Sequence, residues 1–413
     1  MPVLLICFIL AQLNRFNISF AKVTFGKDIK LDDATFGAAA SLFYIGYLAF
    51  QLPSGILLSR FGARALLCCI MVAWGAVGAL QMSARDAGDL YLLRFLLGAA
   101  QAGFFPGMIF FLSTWFPDRM RGRINSLFTT AIPLAGIAGG PLAAWIMAGL
   151  DGAQGLHGWQ WLFLVEGLSA IVMGVAAYVL LTNGPRSAGW LEEAEKGIIL
   201  ADQQAQRTSR ATIEADGIAA ALREPKLLLL GAIYFGYFCA LNAVALWGPS
   251  LLALAGARSI VSVGWISGLS ALVATAGMLV IGRNSDRLQE RHWHVGLCGL
   301  VAAGCFLLLP AVVTSVAATA GLLMLAATGL YAILGLFWTI PGEYLKAGMR
   351  ARGFAVINML GVCGGVVSPT LVGWLNVETG SLHVGLMVVA AILTISMIAL
   401  LLLASAAARS MRH

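Results

Sequence analysis

Twelve apolar runs, each of roughly 20 residues, are separated by polar breaks, and this pattern leaves the chain few ways to fold. A run of that length crosses about 30 Å of hydrocarbon as a helix. In hydrocarbon every backbone N–H and C=O must find its partner within the protein, so a helix is the form such a run takes. The runs predict spans near 2–22, 35–58, 63–82, 88–115, 122–148 and 158–182. Six more are predicted near 225–254, 260–281, 293–313, 317–345, 351–376 and 382–406. Of the 413 residues, 60% are hydrophobic and only 11% charged. A soluble domain carries about 25% charged residues, and a single chain of this size could not bury so much apolar surface away from water. The 48 glycines fit the same picture, because small residues let membrane helices approach closely.

Other classes are excluded on composition and spacing. The formal charge of +7 does not mark a nucleic-acid binder, because the basic residues are scattered over short loops between apolar spans. The seven cysteines lie almost all within apolar runs and show neither metal spacing nor a disulfide framework. No metal cluster, nucleophile elbow or catalytic carboxylate pair is evident, so neither an enzyme nor a cofactor is expected. Asn17-Ile-Ser19 matches a glycosylation sequon but lies at the first span. Met1 to Phe20 lacks a basic start and a small-residue cleavage site, and reads as a span rather than a leader.

The stretch 183–224 is the only long polar region, with Pro185, charged runs and a short helical pattern from Leu191 to Leu200. It divides the chain into a six-helix half at 1–182, a linker and a second six-helix half at 225–413. Two such halves are a common plan for transporters built from repeats. If the first helix runs outward, the inner loops and tail hold 19 of the 26 Lys and Arg. By the positive-inside rule both termini should then face the cytoplasm.

The inner ends of the second and eighth helices carry a repeat. The first half reads Gly55-Ile-Leu-Leu-Ser-Arg60-Phe-Gly62-Ala-Arg64, and the second reads Gly282-Arg-Asn-Ser-Asp286-Arg287-Leu-Gln-Glu-Arg291. Both place Gly before an expected tight turn, where it would allow close helix contact, with arginines just below the membrane. This paired motif resembles the signature loop of the major facilitator superfamily. Further stretches resemble its anion:cation symporter family, above all bacterial tartrate- and phthalate-type transporters: Phe43-Tyr-Ile-Gly-Tyr47, Arg94-Phe-Leu-Leu-Gly98, Ala102-Gly-Phe-Phe-Pro-Gly107, Trp159-Gln-Trp-Leu-Phe-Leu-Val-Glu-Gly167 and Ile357-Asn358 followed by Gly364-Gly365 and Pro369. The resemblance implies an all-α integral membrane protein with the major facilitator fold, twelve transmembrane helices in two halves. It also implies a small organic anion and protons as partners in the lipid bilayer, with no nucleic acid, and residence in a bacterial inner membrane.

The candidate site begins with charge inside an apolar run. Arg15 lies about 20 Å along the first helix, where a charge costs at least about 2.5–3.5 kcal/mol and faces a polar cavity. Gln12 shares its face three positions earlier. The resemblance implies that Arg15 contacts the anion, and that Arg94, which opens the fourth helix, binds or gates it. It gives Tyr47, and Tyr44 one turn earlier, a place at the substrate, and likewise Trp338 and Asn358 in the tenth and eleventh helices. Each of these also has a plainer reading, as interhelical packing or hydrogen bonding.

Two positions depart from the family pattern. Asn14 and Gln101 stand where it carries an aspartate and a glutamate that take up protons. A buried carboxylate relays protons because burial raises its pKa, and an amide cannot titrate. A second family asparagine is Val362 here. Glu166 and Glu343 remain in or near spans, the first with a structural role expected and the second beside Lys346. The expected function is secondary active or facilitated transport of a tartrate-, sugar-acid- or phthalate-like anion by alternating access, without the usual proton route. The rivals are a multidrug exporter of the same fold, which Gly139-Gly-Pro-Leu-Ala-Ala144 fits only in part, and an anion-sensing membrane receptor.

Overall fold

The computed structural model describes residues 1–28, 31–116, 118–189, 191–200, 224–345 and 350–410. Among the described residues twelve helices are long and apolar enough to cross a membrane. They are α1 (Pro2–Phe25), α2 (Asp33–Leu58), α3 (Ala63–Ser83), α4 (Ala87–Trp115), α5 (Ile124–Gly149) and α6 (Gly158–Leu180), then α7 (Pro225–Leu254), α8 (Ile260–Leu288), α9 (His292–Val312), α10 (Val316–Tyr344), α11 (Arg352–Thr379) and α12 (Leu382–Ala406). The spans agree with those read from the sequence to within a few residues, except that α8 continues past residue 281 to Leu288. Most of the expected linker lies outside the described residues.

Local chemistry sets several of the starts. The Asp32 carboxylate accepts from Thr35 N at 2.7 Å and caps α2. That backbone N–H holds the Asp32 carboxyl below its usual pKa. Ser259 caps α8 through Ser262 N at 3.1 Å, and Ser315 caps α10 through Ala318 N at 3.3 Å. At α6, Gln160 reaches back to His157 N at 2.8 Å, closing a capping box.

Helix α1 is interrupted at Asn17, between segments Pro2–Phe16 and Ile18–Asp28. Helix α4 is interrupted at Ala102–Gly103, between Ala87–Gln101 and Phe104–Trp115. Helix α10, the counterpart of α4 in the last six spans, tightens to a 3₁₀ turn at Phe337–Thr339 before Pro341. Each break falls within three residues of a candidate site residue: Arg15, Gln101 and Trp338.

Helices α2 and α4 are in intimate contact because each presents a glycine to the other's backbone. A Cβ on Gly98 would overlap the Phe43 carbonyl oxygen and lie 3.0 Å from Tyr47 N. One on Gly46 would overlap Phe95 O and lie 3.0 Å from Ala99 N. Helices α3 and α6 pack likewise, with a Cβ on Gly75 2.6 Å from Gly167 O.

The first six spans meet the last six mainly along α2–α11 and α5–α8. The α2–α11 seam is glycine-lined: Gly37 backs onto the Pro369 carbonyl, and Gly373 onto that of Asp33. In the α5–α8 seam Gly140 and Gly264 back onto each other, and a Cβ on Gly268 would lie 2.8 Å from Ile137 O. Across α2–α11, Thr370 Oγ1 donates to Ser41 Oγ at 2.8 Å. All of these contacts lie between the middle of the bundle and the end that carries Asp33.

At the opposite end the paired motif behaves differently from its expectation. Gly55 and Gly282 sit inside continuous helix, with nothing within 4 Å of a Cβ placed on either, so neither serves close packing. The turn after α2 is made by Gly62, at φ +77, and the turn after α8 by Gln289, at φ +51. Arg64 Nε donates to Tyr178 O at 2.5 Å, and its guanidinium lies 4.4 Å from the Tyr178 ring centroid. Asp286 accepts from Arg291 Nη2 at 2.5 Å, while Arg287 is exposed in the last turn of α8. The Arg60 side chain lies outside the described residues. Glu343 faces His292 Nε2 at 3.6 Å. Its expected neighbour Lys346 also falls outside the described residues.

These contacts separate glycines that look alike in sequence. Gly98→Val should destabilise the protein by about 1–3 kcal/mol through overpacking. Gly55→Val should change stability by less than about 0.5 kcal/mol. Thermal unfolding of both variants in one detergent checks the pair, and equal losses would contradict the packing argument.

Candidate functional site

The site forms where the break in α1 meets the α2–α4 contact. The guanidinium carbons of Arg15 and Arg94 each lie 5.1 Å from the centroid of the Phe43 ring. Arg15 also lies 5.2 Å from the Tyr47 ring. The negative π-face of an aromatic ring attracts a cation, so Phe43 and Tyr47 support charges that lipid would reject. Gly98 places Phe43 there, by allowing α2 to lie against α4 one turn beyond Arg94.

Arg94 is 1% exposed. Its Nη2 donates to the Arg15 carbonyl at a long 3.4 Å, in the last turn of the first α1 segment, where helical acceptors lose partners. Arg94 Nε and Nη1 have no partner, and neither does Arg15 Nε. Buried donors are normally satisfied, and orphan donors of cationic groups call for an acceptor. Two guanidiniums with open N–H groups form a fork-shaped receptor for a carboxylate, which accepts in bidentate fashion.

Buried amides lie on the same two helices as this pair. Gln101, 1% exposed and just before the α4 break, has no partner on either amide atom. Asn14 is buried with Nδ2 unpartnered, and its Oδ1 lies 2.7 Å from where a Cβ on Gly78 would sit, against α3. Gln12 is buried on the same helix. Glu166 is 3% exposed, with one carboxyl oxygen unpartnered. No hydrogen bond or ion pair links it to either arginine among the described residues.

The last six spans close over the site through α7. Tyr44 Oη donates a short hydrogen bond to Asn242 Oδ1, and Asn242 Nδ2 donates to Phe238 O at 2.9 Å. The Tyr44 ring meets Phe238 edge-on at 6.0 Å and packs on α11, where a Cβ on Gly365 would come 2.8 Å from Cδ1. Phe238 leads to Tyr234 at 6.0 Å, and Tyr234 to Trp338 at 4.9 Å. Trp338 thus joins the site through two intervening rings. Asn358 is half-buried on α11 and makes no hydrogen bond among the described residues. It lies one turn before Gly361, which backs onto the Tyr234 ring. The geometry therefore joins Arg15, Arg94, Phe43 and Tyr47 directly, sets Tyr44 against α7 and α11, and leaves Gln12, Asn14 and Gln101 buried on α1 and α4 with no contact to the pair among the described residues; Trp338 and Asn358 lie on α10 and α11.

Sequence reasoning passed over Phe43 and Asn242. Phe43 stood inside a quoted motif whose tyrosines drew the attention. Asn242 left a usable signal, as a polar side chain in the middle of the apolar α7 run.

With this geometry in hand, comparison with known proteins defines the class. The profile of the Major Facilitator Superfamily matches residues 4–369. The chain belongs to that superfamily, whose members are membrane transporters. It is 37% identical over 404 residues to a putative tartrate transporter of Agrobacterium vitis, covering 98% of this chain and 89% of the relative. It is 33% identical to a quinolone resistance transporter of Acinetobacter baumannii, covering 93% and 88%. A solved structure of a bacterial homologue of the human lysosomal transporter Spinster superposes with a TM-score of 0.80 over 97% of this chain and 95% of that one, at 14% identity. That likeness shows the fold. Together these findings make the chain an integral membrane transporter of the major facilitator fold, similar to carriers of organic anions.

The unpartnered cation has a measurable consequence. A buried charge without a partner is destabilising, so Arg94→Met should raise the thermal stability of the ligand-free protein, by about 1 kcal/mol or more. A stability loss in that variant would mean that Arg94 is satisfied in the folded protein.

Proposed function

We propose that this protein carries a small carboxylated anion, of the tartrate, sugar-acid or phthalate kind, across the bacterial plasma membrane by alternating access. The observation that carries the reading is the pair of guanidiniums on one aromatic ring, with buried N–H groups left open among the described residues. A carboxylate there neutralises the uncompensated charge and satisfies the orphan donors. Tyr44, Tyr47, Trp338 and Asn358 supply aromatic walls and polar groups for the rest of the substrate. The tartrate-transporter relative supports this substrate class, as does the absence of an acid paired with either arginine among the described residues.

The positive-inside bias places both termini in the cytoplasm and the Asp33 end outside. Among the described residues the close contacts between the two halves lie between the middle of the bundle and that end, which supports a conformation closed to the outside. Rocking of the halves about the α2–α11 and α5–α8 seams would then expose the same arginines to the other side.

The quinolone-resistance relative favours a second reading, export of drugs. The sign of the site disfavours cationic drugs and favours anions; a quinolone, which itself carries a carboxylate, is separated from a tartrate-like acid by including it in the binding panel. A receptor that binds without carrying is separated by flux in sealed vesicles. A thermal-shift panel of organic acids and cationic drugs on the purified protein tests the substrate class, since a ligand of the folded state raises apparent stability. Stabilisation by acids is expected. Stabilisation by cationic drugs alone would reject the proposal.

Arg15→Lys keeps the charge but loses the planar fork, and should weaken anion binding by about tenfold or more; Arg15→Ala should nearly abolish it with normal insertion. Unchanged affinity in Arg15→Ala would remove that residue from the site.

Coupling is open to a separate check. Only a group that binds the driving ion differently in two states can couple transport to its gradient. With amides at Asn14 and Gln101, a pH gradient should drive little uphill accumulation of labelled substrate in proteoliposomes. Asn14→Asp together with Gln101→Glu should increase it. Strong accumulation by the unmodified chain, abolished by a proton ionophore, would place the proton on another group.

A further inference from the structure

A second polar assembly lies at the Asp33 end, well away from the arginine pair along α1 and α2. Lys22, near the end of α1, places Nζ 2.9 Å from Asp33 Oδ1 at the start of α2. The side chains are 11% and 25% exposed, respectively. Both belong to the first half. Their remaining contacts reach largely across to the second half. Asp33 Oδ2 accepts from Asn376 Nδ2 of α11 at 2.6 Å. Lys22 Nζ donates to Ser250 Oγ of α7 at 3.3 Å and lies 4.0 Å from the Trp247 ring centroid, also on α7. The ring of Phe36, on α2, meets Trp247 edge-on at 5.1 Å and lies 4.7 Å from Lys22 Nζ.

This division of contacts carries a mechanical consequence. If the ion pair itself joined the halves, opening this end would pull two opposite charges apart in a poorly hydrated place, which is strongly unfavourable. Here the charges stay together on one half. Beside the Phe36–Trp247 ring contact, the pair's own links across the seam are hydrogen bonds and a cation–π contact, and water can replace each of these polar links as the seam opens. The pair presents a fixed acceptor and a fixed cation, and α7 and α11 present neutral groups that fit them.

We propose that Lys22 and Asp33 form a preassembled latch, gripped by Asn376, Ser250 and Trp247, that holds the Asp33 end closed. The latch opens with its ion pair intact. This rests on the alternating-access reading above and adds to it the residues that set the balance between the two states. Asn376 is the release point, because its amide is the one side chain of α11 bonded to the carboxylate among the described residues.

The test measures distances between the halves at both ends. Spin labels are placed at Gln154→Cys and Arg258→Cys at the Asp33 end, and at Met120→Cys and Leu288→Cys at the other, in a background without the seven native cysteines. In lipid nanodiscs the unmodified latch should give mainly short distances at the Asp33 end. Asn376→Ala should raise the ratio of long to short distances there by about tenfold, the loss of one hydrogen bond to a charged group, with the opposite change at the other end. Asn376→Asp sets two carboxylates together and should open this end at least as far. Asp33→Asn leaves Lys22 unpaired and should open it too, whereas Lys22→Met with Asp33→Asn should open it less than Asp33→Asn alone. Unmoved distances in both Asn376 variants would overturn the latch, as would a double variant that opens further than Asp33→Asn. The thermal-shift panel on the unmodified protein keeps the two proposals apart. Anion stabilisation with unmoved distances rejects the latch alone, and moved distances without anion stabilisation reject the transport reading while the latch stands.

Discussion

Close backbone approach at glycine is the constraint on which this structure depends. Between helices in lipid there is no hydrophobic drive to associate, so contact must come from packing and polar bonds. Gly98 and Gly46 bring α2 and α4 together, and this fixes Phe43 and Tyr47 opposite the arginines. Gly37, Gly373, Gly140, Gly264 and Gly268 do the same along the two seams between the halves.

Against that tight scaffold stands a site left unsatisfied. The α1 break at Asn17 ends a run of helical hydrogen bonds beside Arg15, and Arg94 takes one of the carbonyls near that break. The remaining donors have no protein partner. Such an arrangement is costly without ligand, and the close packing around it holds it in place. On the proposed reading that cost would make the site selective, because an anion relieves it and a cation adds to it. The aromatic faces of Phe43 and Tyr47 moderate the repulsion between two like charges without neutralising either.

The polar contacts at the Asp33 end differ in kind from those at the site. There each charge has its opposite within reach, and the links across the seam are neutral. Arg15 and Lys22 lie on α1, and Phe43 and Asp33 on α2, so the two regions are linked along these helices, while Arg94 joins the first from α4, and α7 and α11 join the second.

The sequence by itself determined the twelve spans, the superfamily and the presence of Arg15 inside an apolar run. These follow from hydrophobicity and motif order, which are properties of neighbours along the chain. It also made Asn14 and Gln101 legible as amides in place of acids. The tertiary structure alone decided that Phe43 lies within reach of both guanidiniums, that Asn242 meets Tyr44, and that Gly98 is packed to backbone contact while Gly55 faces open space. It decided too that the motif around Gly282 is continuous helix, where the sequence suggested an early turn. The physical reason is the same in each case. A residue's place on a helix is set by local periodicity, but its partner is set by how separate helices cross, and one sequence read alone carries no record of the crossing.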